Sequence, residues 1–215
     1  TNYVTKKMYK LKNTIFKNIK VLPILEIEKN IDPLRLIDAF ISANIKVVEI
    51  TLRNDDAFKN IKLIKKEFPD LIIGVGTILD VEQLKKAFEI GVDFGVSPGF
   101  DVEIINQAKK LQFSYMPGIS TASEIMTCLK FNYEIVKFFP AKPLGGITYL
   151  KALLGPFPDL LVCPTGGIRD SDYKDWLSIK SVICVGGSWI APKGFDDYDE
   201  IKKRALKITT NKIEE

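Results

Sequence analysis

One lysine of this sequence stands inside an apolar segment. Lys137 lies in IVKFFPA, residues 135–141, and a buried ammonium group is costly unless it is paired or neutral. Two further charged residues, Glu49 and Arg53, alternate with apolar residues in VVEITLR, residues 47–53. A neutral lysine amine is a nucleophile toward a carbonyl carbon. The sequence therefore holds residues suited to imine chemistry, with a carboxylate that could move the protons.

The pattern of the two segments predicts β-strands. Successive side chains of a strand point to opposite faces of the sheet, so the pattern also predicts the face on which each side chain lies. The face of a parallel sheet that lies under helices should be apolar. We therefore expect Glu49, Thr51, Arg53 and Lys137 to point inward. One interpretation is a buried ion pair of Glu49 with Lys137 or Arg53, which adds little stability. The other is a nucleophilic lysine, because a nearby Arg53 would favour the neutral amine.

The composition excludes several kinds of chemistry. The 215 residues contain no histidine, so Ser-His and Cys-His nucleophile pairs are ruled out. A zinc site would need cysteine or carboxylate ligands, and no suitable cluster occurs. We expect no metal and no cofactor. Acid–base work then falls to carboxylate, lysine, tyrosine or water.

The cysteine content, the net charge and the length of the apolar segments suit a cytoplasmic protein. The three cysteines form no CxxC pair, which predicts buried thiols in a reducing compartment. The net charge of +4 comes from dispersed lysines, so we expect no nucleic-acid partner. No apolar segment approaches the ~18 residues of a membrane span. We expect one domain over residues 1–215, in which residues 1–19 are a basic N-terminal helical extension and not a secretory signal.

Eight strand-like segments recur along the chain, with starts 20–27 residues apart. They are KVLPILEI (20–27), VVEITLR (47–53), LIIGVGTI (71–78), FGVSPG (94–99), SYMPGIS (114–120), IVKFFPA (135–141), LVCPTGGI (161–168) and SVICVGGSWI (181–190). Helical patterns lie between them. Asp80 with Gln83 and Thr121 with Glu124 resemble capping boxes, and Gly91 is placed to end a helix.

Strands that alternate with helices predict an α/β fold with a parallel sheet. Eight units predict a (β/α)8 TIM barrel, with the N-terminal helix covering one end. The alternative is an open doubly wound sheet. Its G-x-G-x-x-G fingerprint is missing after the first strand.

Two glycine pairs lie near the ends of the last two strand-like segments. Gly166–Gly167 precedes Ile168 in CPTGGI, and Gly186–Gly187 precedes Ser188 in VGGSW. In barrels, the loops after strands seven and eight commonly bind phosphate, and backbone N–H groups at glycine can approach an anion closely. Each pair alone could be a simple tight turn. Two pairs on adjacent strands favour a phosphate site, with Thr77 and Pro98 at the same mouth.

Eight motifs together resemble the KDPG/KHG aldolase family, whose substrate is 2-keto-3-deoxy-6-phosphogluconate (KDPG). The resemblance runs from about Val21 to the last helix. The motifs, in the family's order, are VVEITLR, GVGT, SPGF, PGISTASE, VKFFPA, GPFP, CPTGGI and VGGSW.

The resemblance implies a homotrimeric TIM barrel and a metal-free Schiff-base aldolase. The reaction would be reversible cleavage of KDPG to pyruvate and glyceraldehyde 3-phosphate, with 4-hydroxy-2-oxoglutarate (KHG) as a possible second substrate. Alternatives are a phosphosugar epimerase or isomerase, or a noncatalytic phosphosugar-binding barrel. The implied roles are nucleophile for Lys137, acid–base for Glu49, carboxylate binding for Arg53 and Thr77, lining for Pro98, phosphate binding for Gly166, Gly167, Gly186, Gly187 and Ser188, and sugar-chain contact for Thr165.

Two positions depart from the family pattern. Lys142 follows FPA, where many members have an acidic residue. The segment PILEIE also has no arginine near the end of the first strand, where some relatives carry one. The carboxylate contact is therefore assigned to Arg53 alone among the arginines.

Overall fold

The structure is a computed structural model that describes residues 15–16 and 19–210. Most of the N-terminal helical extension expected over residues 1–19 lies outside the described residues. Within the described ranges, strands and helices alternate along the chain. They are β1 (Val21–Leu25), α1 (Pro33–Ser42), β2 (Val47–Thr51), α2 (Ala57–Glu67), β3 (Ile72–Gly76), α3 (Val81–Ile90), β4 (Phe94–Val96), α4 (Val102–Lys110), β5 (Tyr115–Met116), β6 (Gly118–Ile119), α5 (Ala122–Lys130), β7 (Ile135–Phe138), α6 (Gly146–Leu154), β8 (Leu161–Pro164), α7 (Tyr173–Leu177), β9 (Val185–Gly187) and α8 (Tyr198–Thr210).

The strands form two parallel sheets. Six strands pair in the order β5-β4-β3-β2-β1-β9, and three pair in the order β6-β7-β8. Glu49 on β2 lies opposite Ile24 of β1 and Gly74 of β3. Lys137 on β7 lies opposite Gly118 of β6 and Cys163 of β8. The two charged residues thus belong to different sheets.

The predicted (β/α)8 TIM barrel is wrong, because the strands do not close into one eight-stranded sheet. The expected fifth strand is divided at Pro117, which has no N–H to donate. Its first half pairs with β4 and its second half with β7. The expected eighth strand shortens to three residues paired with β1. Between the β8 and β9 regions there are isolated bridges, Val162 to Val182 and Thr165 to Gly186.

The predicted helix ends are confirmed. The Asp80 side chain accepts the Gln83 N–H at 2.7 Å, and Gly91 ends α3 with a φ of +78°. Thr121 and Glu124 form a complete capping box at the start of α5. These local signals survive the change of architecture because they depend on residues close in sequence.

The buried apolar residues form two clusters. The larger packs between the sheets and the helices. The smaller draws on both sheets, including Leu22, Val47, Phe94 and Cys163. The faces of the two sheets that turn away from the helices therefore enclose a common interior, and this interior holds Lys137 and Glu49.

Within the described ranges, no helix has the length and apolar character needed to cross a membrane. All three cysteines are buried free thiols, as the sequence predicts.

Candidate active site

Lys137 and Glu49 meet in the enclosed interior. The Lys137 Nζ donates to Glu49 Oε1 at 3.1 Å, and the two side chains are 7% and 1% exposed. The lysine Nζ also lies 5.6 Å from the centre of the Phe139 ring. The structure therefore brings together the two residues to which the sequence assigns nucleophile and acid–base roles.

The second carboxylate oxygen of Glu49 is available for chemistry. Oε2 is buried and accepts no hydrogen bond from the described residues. A buried polar atom without a protein partner costs stability, and a catalytic role is one physical reason for keeping such an atom. A proton donor that enters the interior could hydrogen-bond to this oxygen.

Gly76, at the end of β3, leaves room for this carboxylate. A Cβ atom at Gly76 would lie 2.0 Å from Glu49 Oε1. Sequence reasoning did not assign this residue a role. The available signal was its place next to Thr77 in the GVGT motif.

Thr77 and Arg53 lie at the carboxyl ends of their strands. Thr77 follows β3, is half-buried, and has a φ of +63°. A β-branched residue rarely adopts this left-handed conformation, and such outliers gather at functional sites. Arg53 lies two residues beyond β2, with a side chain 48% exposed, and contacts Glu26 rather than Lys137.

Glu26 joins two cations at this rim. Its carboxylate accepts from Arg53 Nη1 at 3.3 Å and pairs with Lys193 Nζ at 2.6 Å. Burial would raise the pKa of Glu26, but hydrogen bonds and charge from Lys193 and Arg53 outweigh it and lower the pKa. Sequence reasoning missed Glu26 and Lys193. The signal for Glu26 was a charged residue directly after a fully apolar strand.

Pro98 lies beside the strand that pairs with β7. A Cβ atom at Gly118 would lie 2.3 Å from the Pro98 carbonyl atoms, and Gly118 is the register partner of Lys137. The neighbouring Ser97 donates to the Ile78 carbonyl at 2.6 Å and accepts from the Tyr115 hydroxyl at 2.6 Å. Ser97 thus holds the segment after β3, and the Pro98 carbonyl packs closely against Gly118.

The first glycine pair follows β8 in a loop that only glycine adopts easily. Gly166 and Gly167 have φ angles of +106° and +81°, which favour residues without a Cβ. The Gly166 carbonyl accepts the Lys142 N–H at 3.0 Å. The following helix, α7, starts only at Tyr173. Its N-terminus therefore does not directly follow the pair.

The second glycine pair is part of β9, and close packing accounts for both residues. A Cβ atom at Gly186 would lie 2.2 Å from Thr165 Oγ1, and one at Gly187 would lie 1.8 Å from the Trp189 ring. Thr165 is buried and is bridged to Gly186. Ser188 is exposed directly after the strand. The two pairs are therefore adjacent in space.

Lys142, which departs from the family pattern, has a structural partner. Its ammonium group pairs with Asp172. Its side chain also covers Gly167, where a Cβ atom would lie 2.9 Å from Lys142 Cβ. Lys142 thus ties the segment after β7 to the loop that carries the first glycine pair.

The described residues hold no group of three or more histidine, cysteine, aspartate or glutamate side chains arranged to bind a metal ion.

Comparison with known proteins assigns a family to this arrangement. The model of the KDPG and KHG aldolase family matches residues 12–204. The KHG/KDPG aldolase of Escherichia coli strain K12 is 39% identical over 188 residues, which are 86% of this chain and 88% of the relative.

Two solved structures are similar to this chain in both fold and sequence. One is KDPG aldolase from Legionella pneumophila with pyruvate captured as a covalent carbinolamine intermediate. Its TM-score is 0.87 at 34% identity, covering 97% of this chain and 98% of that chain. The other is the Zymomonas mobilis ZM4 enzyme with 3-phosphoglycerate. Its TM-score is 0.89 at 33% identity, covering 94% and 97%.

These matches place the protein in the class of aldolases, which are lyases of carbon–carbon bonds. It belongs to the KDPG and KHG aldolase family.

Proposed function

We propose that this protein cleaves KDPG reversibly to pyruvate and glyceraldehyde 3-phosphate, with Lys137 as the imine-forming nucleophile and Glu49 as the acid–base residue. The observation that carries the proposal is the buried Lys137 amine 3.1 Å from the buried Glu49 carboxylate. A lysine must lose a proton before it attacks a carbonyl, and Glu49 is placed to accept that proton.

The substrate would lie across the mouth of the interior. Arg53 and Thr77 would bind its carboxylate, with Pro98 lining that end. Arginine suits this role because its fork of N–H donors matches a carboxylate. The phosphate would lie at Gly166, Gly167, Gly186, Gly187 and Ser188, and Thr165 would contact the sugar chain. The adjacency of the two glycine pairs supports this orientation.

The chemistry then proceeds in five balanced steps. The Lys137 amine adds to C2 of the substrate, and loss of water gives a protonated imine. Glu49 takes the proton of the C4 hydroxyl. The C3–C4 bond breaks, so that its electron pair moves toward the imine and the aldehyde product leaves. Glu49 returns the C4 hydroxyl proton to C3 of the enamine. Water hydrolyses the resulting imine, which releases pyruvate and restores Lys137.

The same interior suits KHG, which would give pyruvate and glyoxylate. The 2-keto acid end of KHG would bind to Lys137 and Arg53 in the same way as that of KDPG. KHG has no phosphate group that the protein would have to bind. The Escherichia coli relative carries both substrates in its name.

We also propose a homotrimer located in the cytoplasm. Large apolar side chains remain on the surface of the described chain, with Leu79 at 60% and Met126 at 53% exposed, as expected where subunits meet. The free cysteines suit a reducing compartment. Sedimentation equilibrium should give three times the chain mass of 24.2 kDa.

Reduction with borohydride in the presence of pyruvate tests the mechanism. We expect one pyruvyl adduct per chain, located on Lys137 by peptide mass mapping. Lys137→Met should abolish the adduct and the aldolase activity. Lys151→Met, a control at an exposed position of α6, should retain both. An adduct on another lysine, or none, would contradict the proposal.

The phosphate assignment has a separate test. Ser188→Ala should raise KM for KDPG about tenfold, the cost of one charge-assisted hydrogen bond, and leave KM for KHG unchanged. An equal rise for both substrates would show that Ser188 does not contact phosphate.

A further inference from the structure

A cavity of about 630 Å³ lies between the loop after β8, the segment after β9 and one face of α8. None of its lining residues belongs to the Lys137 site or to the glycine pairs. Ligand sites commonly have volumes of ~300–1,000 Å³. Its charged lining residues are Arg169, Asp170, Glu200, Lys203, Arg204 and Lys207.

The charges in this cavity do not balance. Arg204 Nε donates to Glu200 Oε1 at 3.0 Å, and Lys207 pairs with Asp170. This pairing raises the pKa of Lys207, first through the hydrogen bond to Asp170 and then through its charge. In the described part of the chain, Arg169 and Lys203 have no carboxylate within ion-pair distance. Four cations face two carboxylates, which leaves two positive charges.

A phosphate monoester matches this charge. Its second pKa is ~6, so it carries nearly two negative charges near neutral pH. The Arg169 guanidinium can bind two of its oxygens at once, and the Lys203 ammonium can bind the third. Ser171, also in the lining, can donate a hydroxyl hydrogen.

Parts of the cavity wall closely follow both glycine pairs in the chain. Arg169 lies two residues after Gly167, and Trp189 directly follows Ser188. The Trp189 ring stacks on Tyr173 with centroids 5.7 Å apart, and its carbonyl accepts from Arg204 Nη1 at 3.2 Å. Trp189 lines the cavity, whereas the other tryptophan, Trp176, is 1% exposed in the core. Trp189 would therefore report an occupant.

We propose that this cavity is a second anion site, which binds a phosphate monoester separately from the substrate phosphate. Glycerol 3-phosphate is a suitable probe because it has no carbonyl group to react with Lys137. Titration of the wild-type protein should give a saturable change in Trp189 fluorescence. Because the attraction is ionic, the midpoint should rise with added salt.

Variants separate this site from the substrate site. Arg169→Gln with Lys203→Gln should weaken the fluorescence-detected binding about tenfold. Lys202→Gln, which removes one positive charge at the neighbouring exposed position, should change it less than about twofold. Ser188→Ala should leave it unchanged. Lys203→Glu alone, a single change at an exposed position, should weaken it more than Lys202→Gln does.

Three results would overturn the proposal. The wild type could show no saturable change. The double variant could titrate like Lys202→Gln. Binding could be lost in Ser188→Ala only, which would locate the anion at the glycine pairs. Aldolase activity is read separately, so failure of the proposed function would appear as a missing Lys137 adduct and not as lost fluorescence.

Discussion

At the scale of single residues, the position of the Glu49 carboxylate requires a residue without a side chain at Gly76. A methyl group there would lie 2.0 Å from Glu49 Oε1. Gly76→Ala should displace the carboxylate and destabilise the fold by about 1–3 kcal/mol. Because misplacement by 1 Å can cost about 100-fold in rate, we expect kcat to fall by about that factor.

Gly99→Ala is the matched control, since no atom of the described residues, apart from its two chain neighbours, lies within 4 Å of the added Cβ. Steady-state kinetics and thermal unfolding of both variants check the prediction. Equal kcat values for the two variants would show that Gly76 does not set the position of Glu49.

Glu26 is a second residue at this scale, and we expect it to affect substrate binding through its contact with Arg53. If Arg53 binds the substrate carboxylate, the Glu26 charge lies next to it and repels it. Glu26→Gln keeps an oxygen acceptor for Arg53 and removes this repulsion, which is worth about 1 kcal/mol at 4 Å in water. We expect KM for KDPG to fall about fivefold at unchanged kcat.

Glu28→Gln is the control, because Glu28 pairs with Lys193 at 3.0 Å and not with Arg53. A KM that rises in Glu26→Gln would mean that Glu26 mainly holds Arg53 in place.

At the scale of elements, the capping box of α5 gives a pH-dependent contribution to stability. Glu124 Oε2 accepts from the backbone and side chains of Ser120 and Thr121 at 2.7–3.1 Å. Burial raises the pKa of Glu124, but these hydrogen bonds outweigh it and lower the pKa from 4.5. The stabilisation is therefore present above about pH 4.5 and is lost as the pH falls through the lowered value.

Two substitutions separate the charge from the hydrogen bonds. Glu124→Ala should lower the free energy of unfolding by about 1 kcal/mol at pH 7. Glu124→Gln should keep most of the capping box and show a weaker loss of stability below pH 4.5. Urea unfolding at several pH values measures both. Parallel acid curves for wild type and Glu124→Gln would contradict the prediction.

At the scale of the whole molecule, we expect the Lys137–Glu49 pair to serve the proposed activity at a cost in stability. Lys137→Met leaves the Glu49 carboxylate buried without a partner, and such a change costs about 3–5 kcal/mol. Lys137→Met combined with Glu49→Leu removes both charges. We expect this double variant to be inactive and as stable as the wild type, or more stable by about 1–4 kcal/mol.

Urea unfolding of the single and double variants tests this expectation. A double variant as unstable as the single one would mean that the pair itself supports the fold.

The sequence predicted the parts of the site that depend on alternation along one strand. Glu49 and Lys137 each lie on the inner face, because neighbours on both sides are apolar. The same rule predicted that Arg53 points inward, but its side chain is 48% exposed. The reason is that β2 ends at Thr51, and a residue beyond a strand need not follow its pleat. The partners Glu26 and Lys193 are distant in sequence, so no local pattern could pair them.

Local sequence determined the helix caps, the inward direction of Lys137 and Glu49, and the absence of histidine chemistry. Tertiary structure alone decided that the strands form two sheets, that Pro117 divides one strand between them, and that Gly76 makes room for Glu49. The physical reason is the range of each interaction. Caps and pleats act between residues a few positions apart. Sheet pairing and close packing join segments that are distant in the chain, and no local sequence pattern shows which of these segments will be in contact.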